Sequence, residues 1–234
     1  MYLSIIIPTY NEETNIQRLI EYIQSSIHNN NYEIIVVDAG SLDNTLIIAS
    51  ALKVKAFLSP IKGRSGQMNY GVAQAKGDVL YFVHADSLPP KSFYSDIEKA
   101  IQENYNCGSF RFQFDSKKFM LKINAFFTRF NYLFFRGGDQ TIFVTQSLWE
   151  QVGPYKEEML IMEDYDFLER IWKIGKFKLI PKTTIVSSRK YDTNSWLTVQ
   201  LANLKVVKMY RKGASQKEMI ATYKNLLNYR ENAF

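Results

Sequence analysis

A single cysteine, Cys107, occurs in 234 residues. That excludes an internal disulfide framework and fits a reducing compartment. No run approaches the roughly 18 consecutive apolar residues that span a bilayer. Met1 leads straight into the strand-like Tyr2-Leu3-Ser4-Ile5-Ile6-Ile7, without a basic segment or a small-residue cleavage site, which argues against a signal peptide. These absences predict a cytoplasmic protein. The chain also lacks an internal repeat and a low-complexity linker, so it reads as one domain over 1–191 with a basic helical appendage, 192–234, packed on it.

What is present suits a folded core: 46% of residues are hydrophobic and 15% aromatic, outside the disordered and fibrous classes. The net charge of +6 is uneven. Residues 189–234 hold nine Lys or Arg and three Asp or Glu, whereas 1–188 balance at 20 and 20. Such a tail suits an anionic partner, a membrane surface or a phosphorylated substrate, or is a solvated helical face.

The first half alternates apolar runs with helical patterns. Strands are expected at Leu3–Ile7, Glu33–Val37, Val54–Leu58 and Val79–Val83, with helices near Glu13–Ile27, Asn44–Ala51, Gly66–Ala75 and Lys91–Gln102. This order predicts an α/β fold with a mainly parallel sheet flanked by helices. Alternation through Ser109–Phe114 then signals a strand with one wet face and makes the sheet mixed. Further strands are expected at Thr141–Thr145, Phe177–Ile180 and Thr184–Val186, and Ser147–Glu150 has the spacing of a capping box. Two C-terminal helices should part near Gly213, with Ser215 and Glu218 as a second box. Between Phe119 and Phe135, Phe119, Ile123, Phe126, Phe127, Phe130, Leu133 and Phe134 recur at helical spacing among basic residues. The preferred reading is a core-facing helix; an interfacial helix in peripheral contact with a membrane is the alternative.

Polar clusters stand where apolar strands end, the position at which open α/β sheets gather ligands. They are Pro8–Glu12, Asp38–Asp43, Gly63–Asn69, His84-Ala85-Asp86 and Gly137–Gln140. Farther on, Glu163-Asp164 opens an amphipathic helix whose apolar positions are Phe167, Leu168, Ile171 and Trp172. An acidic first turn complements the helix dipole, and a carboxylate there is also a candidate base. A nucleotide-activated donor needs a surface for the base, acceptors for ring N–H and ribose hydroxyls, and cations for its diphosphate. Tyr10 can stack, Thr9 and Asp38 can accept, and Arg64 can pair with phosphate. Asp86, after a very apolar strand, can hold Mg²⁺ or Mn²⁺ with diphosphate oxygens, or serve as a turn residue.

Together these clusters resemble family 2 glycosyltransferases of the GT-A fold over residues 4 to about 191, most of the chain. The resemblance rests on Ser4–Glu12, Val36–Asp43, His84-Ala85-Asp86 and Glu163-Asp164. Gly63–Asn69, Phe82–Asp86, Gly138-Asp139-Gln140 and Ser187–Tyr191 further resemble a small, soluble bacterial subgroup. The resemblance implies an inverting glycosyltransferase with a nucleotide-diphosphate sugar donor, most often a UDP sugar, and an unknown acceptor. It implies that Thr9, Tyr10, Glu12, Asp38 and Arg64 bind nucleotide, Asp86 takes the metal and Asp164 is the base. Glu163 would orient the helix start or bind an acceptor hydroxyl. Gly138, Asp139 and Gln140 would lie near donor sugar or acceptor, and Arg189 would close over the diphosphate. The wider family's Asp-x-Asp is replaced by His84-Ala85-Asp86, losing one carboxylate; His84 could hydrogen-bond ribose or phosphate instead. Two other functions compete, a non-catalytic nucleotide-sugar-binding module and a sugar-phosphate nucleotidyltransferase. The latter is disfavoured because no glycine-rich, basic phosphate loop follows the first strand. Nucleic-acid binding is disfavoured by the lack of a recognition motif.

Overall fold

The run Leu3–Thr9 is buried at every position and forms β1, the strand around which the others assemble. The computed structural model describes residues 1–137 and 140–227. In chain order it contains β1, α1 (Glu13–Ser26), β2 (Tyr32–Asp38), α2 (Thr45–Ala51), β3 (Lys55–Leu58), α3 (Arg64–Ala73), β4 (Val79–Phe82), β5 (Ser87–Leu88) and α4 (Phe93–Gln102). Then follow β6 (Cys107–Phe114), α5 (Phe119–Phe127), a 3₁₀ turn at Leu133–Phe135, β7 (Ile142–Thr145), α6 (Gln146–Val152), α7 (Glu163–Ile174), β8 (Phe177–Val186), α8 (Lys190–Thr193), α9 (Trp196–Arg211) and α10 (Gln216–Leu226).

One sheet holds all eight strands in the order β3-β2-β1-β4-β7-β6-β8-β5. β1 pairs in parallel with both β2 and β4, and β7 runs antiparallel between β4 and β6. Successive strand residues face opposite ways, so β1 serves two cores. Ile5 and Ile7 pack with Ile16, Leu19, Ile20 and Ile23 of α1 and Phe93 and Ile97 of α4. Ile6, on the other face, packs with Met68 of α3, Trp149 of α6 and Phe167 and Leu168 of α7. A third, smaller core joins Leu121 of α5 to Val199, Ala202 and Val206 of α9 and Met219 and Tyr223 of α10. Among the described residues no helix is long and apolar enough to cross a membrane.

Three expectations are corrected. Phe177–Ile180 and Thr184–Val186 belong to one strand, β8. Its register against β6 slips between Phe110 and Arg111, opposite Pro181 and Lys182; a bulge accommodates a residue without an N–H. The cap of α6 is Thr145, whose hydroxyl accepts from Leu148 N, and not Ser147. The aromatic stretch is not a core-facing helix: α5 ends at Phe127, and Leu121 is its one buried residue. The Ser215–Glu218 capping box forms as expected.

Besides the packing of Met68, α3 is hydrogen-bonded to the sheet edge by Gln67. Gln67 is 2% exposed, and its amide nitrogen donates to Thr9 O and Val37 O, each at 2.7 Å, across the ends of β1 and β2. Replacing both donors by Gln67→Leu should lower unfolding free energy by about 1–3 kcal/mol, read as an earlier urea midpoint at unchanged slope.

Candidate active site

The strand directions gather the polar clusters at one edge. β1, β2 and β4 all end there, at Thr9, Asp38 and Phe82. The antiparallel β7 begins there, with Ile142 opposite Phe82, and β8 reaches it from the far side of β6, with Val186 opposite Phe114. Because β1 is flanked by β2 and β4, the edge lies at the point where connections leave β1 in both directions, the usual ligand crevice of open α/β sheets.

Two loops form its floor. Asp38 is 1% exposed; its carboxylate accepts from Gly40 N at 2.9 Å, Ser41 N at 2.7 Å and the hydroxyls of Thr9 and Ser41. Asn11, held at φ 52°, locks the neighbouring loop to it: Asn11 N donates to Ser41 Oγ and Leu42 N to Asn11 Oδ1, both at 2.8 Å. Tyr10 lies half-buried beside this clamp. Thr9 and Asp38 therefore bond one another and together hold the backbone of the 40–41 turn.

Charged side chains form two linked groups. In the first, the Arg189 guanidinium joins two carboxylates. Its Nη2 donates to Asp86 Oδ2 at 2.9 Å and to Glu12 Oε1 and Oε2 at 3.1 and 3.2 Å. Glu12 also accepts from Asn15 Nδ2 at 2.6 Å. In the second, Arg64, at the start of α3, places Nε 2.8 Å from Glu163 Oε1 at the start of α7. Beside this pair, His84 Nε2 lies 3.9 Å from Asp164 Oδ2. The turn 84–86 connects the groups, with His84 facing Asp164 and Asp86 facing Arg189.

The two adjacent carboxylates differ sharply. The Glu163 side chain is 3% exposed and that of Asp164 14%. Burial raises the Glu163 carboxyl to about 7; Arg64 opposes the rise and the negative charge of Asp164 adds to it. Met162, just before them, has the left-handed φ of 66°, a strained conformation for a side-chain-bearing residue that redirects the chain into α7.

A residue without a sequence signal also lies here. Tyr155 is 1% exposed, stacks on Phe167 at 4.3 Å between ring centres, and has no hydrogen-bond partner for its hydroxyl among the described residues. Burial raises its pKa far above the ordinary phenol value, and the charges of Asp164 and Glu163 raise it further. Its backbone is clamped by Asn69, which donates to Tyr155 O and accepts from Tyr155 N, both at 2.9 Å. Gln140 is buried, accepts from Arg136 and donates to Phe135 O, so its amide braces the preceding turn. Gly138 and Asp139 lie outside the described residues.

A divalent cation is compatible with this donor set. Asp86 and Glu12 already converge on one positive nitrogen, and hard cations are commonly held by one or two carboxylates plus substrate phosphates. The described residues contain no group of three or more His, Cys, Asp or Glu able to hold a metal ion by themselves.

This arrangement is a crevice lined with paired charges at the strand ends of an α/β sheet, and comparison with known proteins identifies the family. The glycosyl transferase family 2 profile matches residues 4–161, and the chain belongs to that family of glycosyltransferases. A dolichol-phosphate mannosyltransferase of Pyrococcus furiosus is 36% identical over 107 residues, 44% of this chain and 30% of that protein. A dolichyl-phosphate beta-glucosyltransferase of Drosophila melanogaster is 31% identical over 116 residues, 43% and 36% of the two chains. The chain thus spans about a third of the length of such relatives. Among solved structures, Staphylococcus aureus TarS in complex with UDP matches with a TM-score of 0.67 at 18% identity, covering 97% of this chain and 71% of that one. A Pyrobaculum calidifontis mannosyltransferase in complex with GDP-Man and Mn²⁺ matches with a TM-score of 0.67 at 16% identity, covering 96% and 69%. These likenesses establish the GT-A fold expected from the sequence.

The Glu163 carboxyl sets a pH dependence. Its native value of about 7 exceeds the ordinary 4.5, so between those values the native state binds more protons than the unfolded one. Stability from this group is fully present below about pH 4.5 and is lost as pH rises through 7. Glu163→Gln should flatten that decline, and Arg64→Met should carry it to higher pH; urea unfolding from pH 4 to 8 (about that range) reads both.

Proposed function

We propose that the chain is an inverting glycosyltransferase that moves a sugar from a nucleotide-diphosphate donor, a UDP sugar, to an acceptor hydroxyl. The observation that carries the reading is the turn 84–86, which joins the Asp164 carboxylate to the Arg189–Asp86–Glu12 cluster within one crevice. A base for the acceptor thus stands beside an arginine that can meet the leaving diphosphate and two carboxylates that can share a cation with it. Family membership and the UDP and GDP-Man complexes of similarly folded proteins support it.

In this reading Tyr10 stacks on the nucleotide base, while the Thr9–Asp38 pair shapes the backbone and polar surface that receive base and ribose. Arg64 holds Glu163 in place; Glu163, mostly enclosed, orients the start of α7 or touches an acceptor hydroxyl. Asp164, the more exposed carboxylate, takes the acceptor proton as the acceptor oxygen bonds to the anomeric carbon and the bond to the diphosphate breaks. Arg189 turns from Asp86 and Glu12 toward the departing phosphates, whose charge it neutralises. Asp86, with Glu12 beside it, would hold Mn²⁺ or Mg²⁺, whose positive charge stabilises the leaving diphosphate. His84 borders Asp164 and the donor, and Gly138, Asp139 and Gln140 are assigned to the sugar side.

Calorimetric titration with UDP, GDP, CDP, dTDP and ADP, with Mn²⁺ and with EDTA, tests the donor site. One nucleotide should bind selectively, UDP by this reading, and more tightly with Mn²⁺; absence of binding to all five would overturn it. Asp164→Asn should lower transfer by about 10²–10⁴-fold while nucleotide affinity is retained, and parallel loss of affinity would remove Asp164 from the role of base. Asp86→Ala should abolish the difference between Mn²⁺ and EDTA.

A further inference from the structure

The aromatic segment after β6 leaves the core unfilled and the surface apolar. Phe126, Phe127, Phe130, Tyr132, Phe134 and Phe135 form one connected set of rings, with neighbouring centres 5.4–6.4 Å apart. None belongs to any of the three cores. Tyr132 is 67% exposed, Phe134 52% and Phe126 46%. Scattered apolar residues on a surface need no explanation, but a contiguous aromatic patch marks an interaction site.

The patch is a built projection. Arg136, buried beneath it, donates to the carbonyls of Thr128 and Phe130 and to the Gln140 side chain. Through Gln140 it is tied to the start of β7, at the crevice edge. Leu133 anchors the segment on the core that contains Phe167 and Leu168, one turn beyond Asp164.

Charge indicates what covers it. Residues 115–137 contain five Lys or Arg and a single acid, Asp115. Lys117, Lys118, Lys122 and Arg129, in the same segment, are all exposed; Lys118 Nζ donates to Tyr191 O at 2.9 Å, and the Arg129 guanidinium carbon lies 3.9 Å from the Phe126 ring centre. The basic tail begins against the same helix, with Trp196 Nε1 donating to Asn124 Oδ1 at 3.1 Å. Aromatic rings that favour the headgroup depth, rimmed by cations that favour anionic headgroups, fit the interface of a bilayer.

We infer that the Phe126–Phe135 projection docks the protein peripherally on an anionic lipid bilayer, with the rings in the headgroup region and the basic rim on the phosphates. The bilayer would then lie beside the Asp164 edge, so that acceptors held at its surface meet the site. Docking itself does not depend on the proposed donor chemistry, and nucleotide titration reads that chemistry separately.

Co-sedimentation of the full chain with vesicles of phosphatidylcholine, alone or mixed with phosphatidylglycerol, tests the inference. Binding should require phosphatidylglycerol and weaken with salt. The triple variant Phe126→Ser, Phe130→Ser and Phe134→Ser should bind about tenfold or more weakly at unchanged circular dichroism and nucleotide affinity. Lys122→Gln with Arg129→Gln should cost about fivefold per charge removed. Should the triple variant misfold, Phe134→Cys carrying a solvent-sensitive dye replaces it, the native Cys107 being buried; a blue shift on anionic vesicles is expected. The inference is overturned by absence of vesicle binding or of the blue shift, or by binding that survives loss of the rings. It is equally overturned if the wild type is a dimer that the ring substitutions dissociate, since a second copy would then be the occupant.

Discussion

Gln67, lying between the carbonyls of Thr9 and Val37, is the constraint on which the site's geometry rests. Thr9 O already accepts from Ala39 N at 3.0 Å, and the Gln67 amide adds a second bond there and one to Val37 O, tying α3 to two strand ends at once. From that helix Arg64 reaches Glu163, Ser65 donates to Met159 O, and Asn69 clamps Tyr155. Each of these contacts holds the segment 155–164, whose end carries Asp164. These contacts act together with the packing of Phe167 and Leu168 on the Ile6 face of the sheet to set the position of the candidate base.

The same edge pairs its charges before any ligand arrives, with carboxylates in excess. Four carboxylates, Glu12, Asp86, Glu163 and Asp164, stand with Arg189, Arg64 and His84 among them. Arg64 is itself open to solvent, but its partner Glu163 is enclosed, so removing the arginine leaves a buried carboxylate uncompensated. The acceptors of Arg189 are less enclosed, Asp86 most of all, and a cation could equally engage them. An incoming diphosphate offers Arg189 replacement oxygens, so its transfer exchanges charge-assisted hydrogen bonds for others of similar strength. The first pair therefore suits a structural role and the second an exchangeable one.

Much of this was legible in the chain because local pattern and spatial role coincide. Strand runs ending in Thr9, Asp38 and the turn 84–86 marked the edge, and the Glu163-Asp164 pair marked the start of α7. The Arg64–Glu163 pair was not legible, since nothing local links residues that far apart in sequence. Gln67 stood in a recognised motif, yet its two carbonyl partners depend on strand pairing. Phe177–Ile180 and Thr184–Val186 read as two strands because the bulge that joins them through Pro181 depends on the register with β6. For Phe119–Phe135 the periodicity was genuine, but a period states only that a helix has an apolar side. What covers that side depends on neighbours, and here Leu121 and Leu133 find a core while the rings do not.

His84 shows how a departure from the family pattern can follow from this geometry. Its ring faces Asp164 while Asp86 faces Arg189, so the two residues of the turn serve different groups. A carboxylate at position 84 would bring a further negative charge toward Asp164 and Glu163 in a poorly solvated crevice. Carboxylates brought that close repel one another. Imidazole carries no negative charge and so fits against Asp164 without adding to that repulsion. Loss of the first carboxylate thus separates the two groups at this turn, His84 facing Asp164 and Asp86 sharing Arg189 with Glu12.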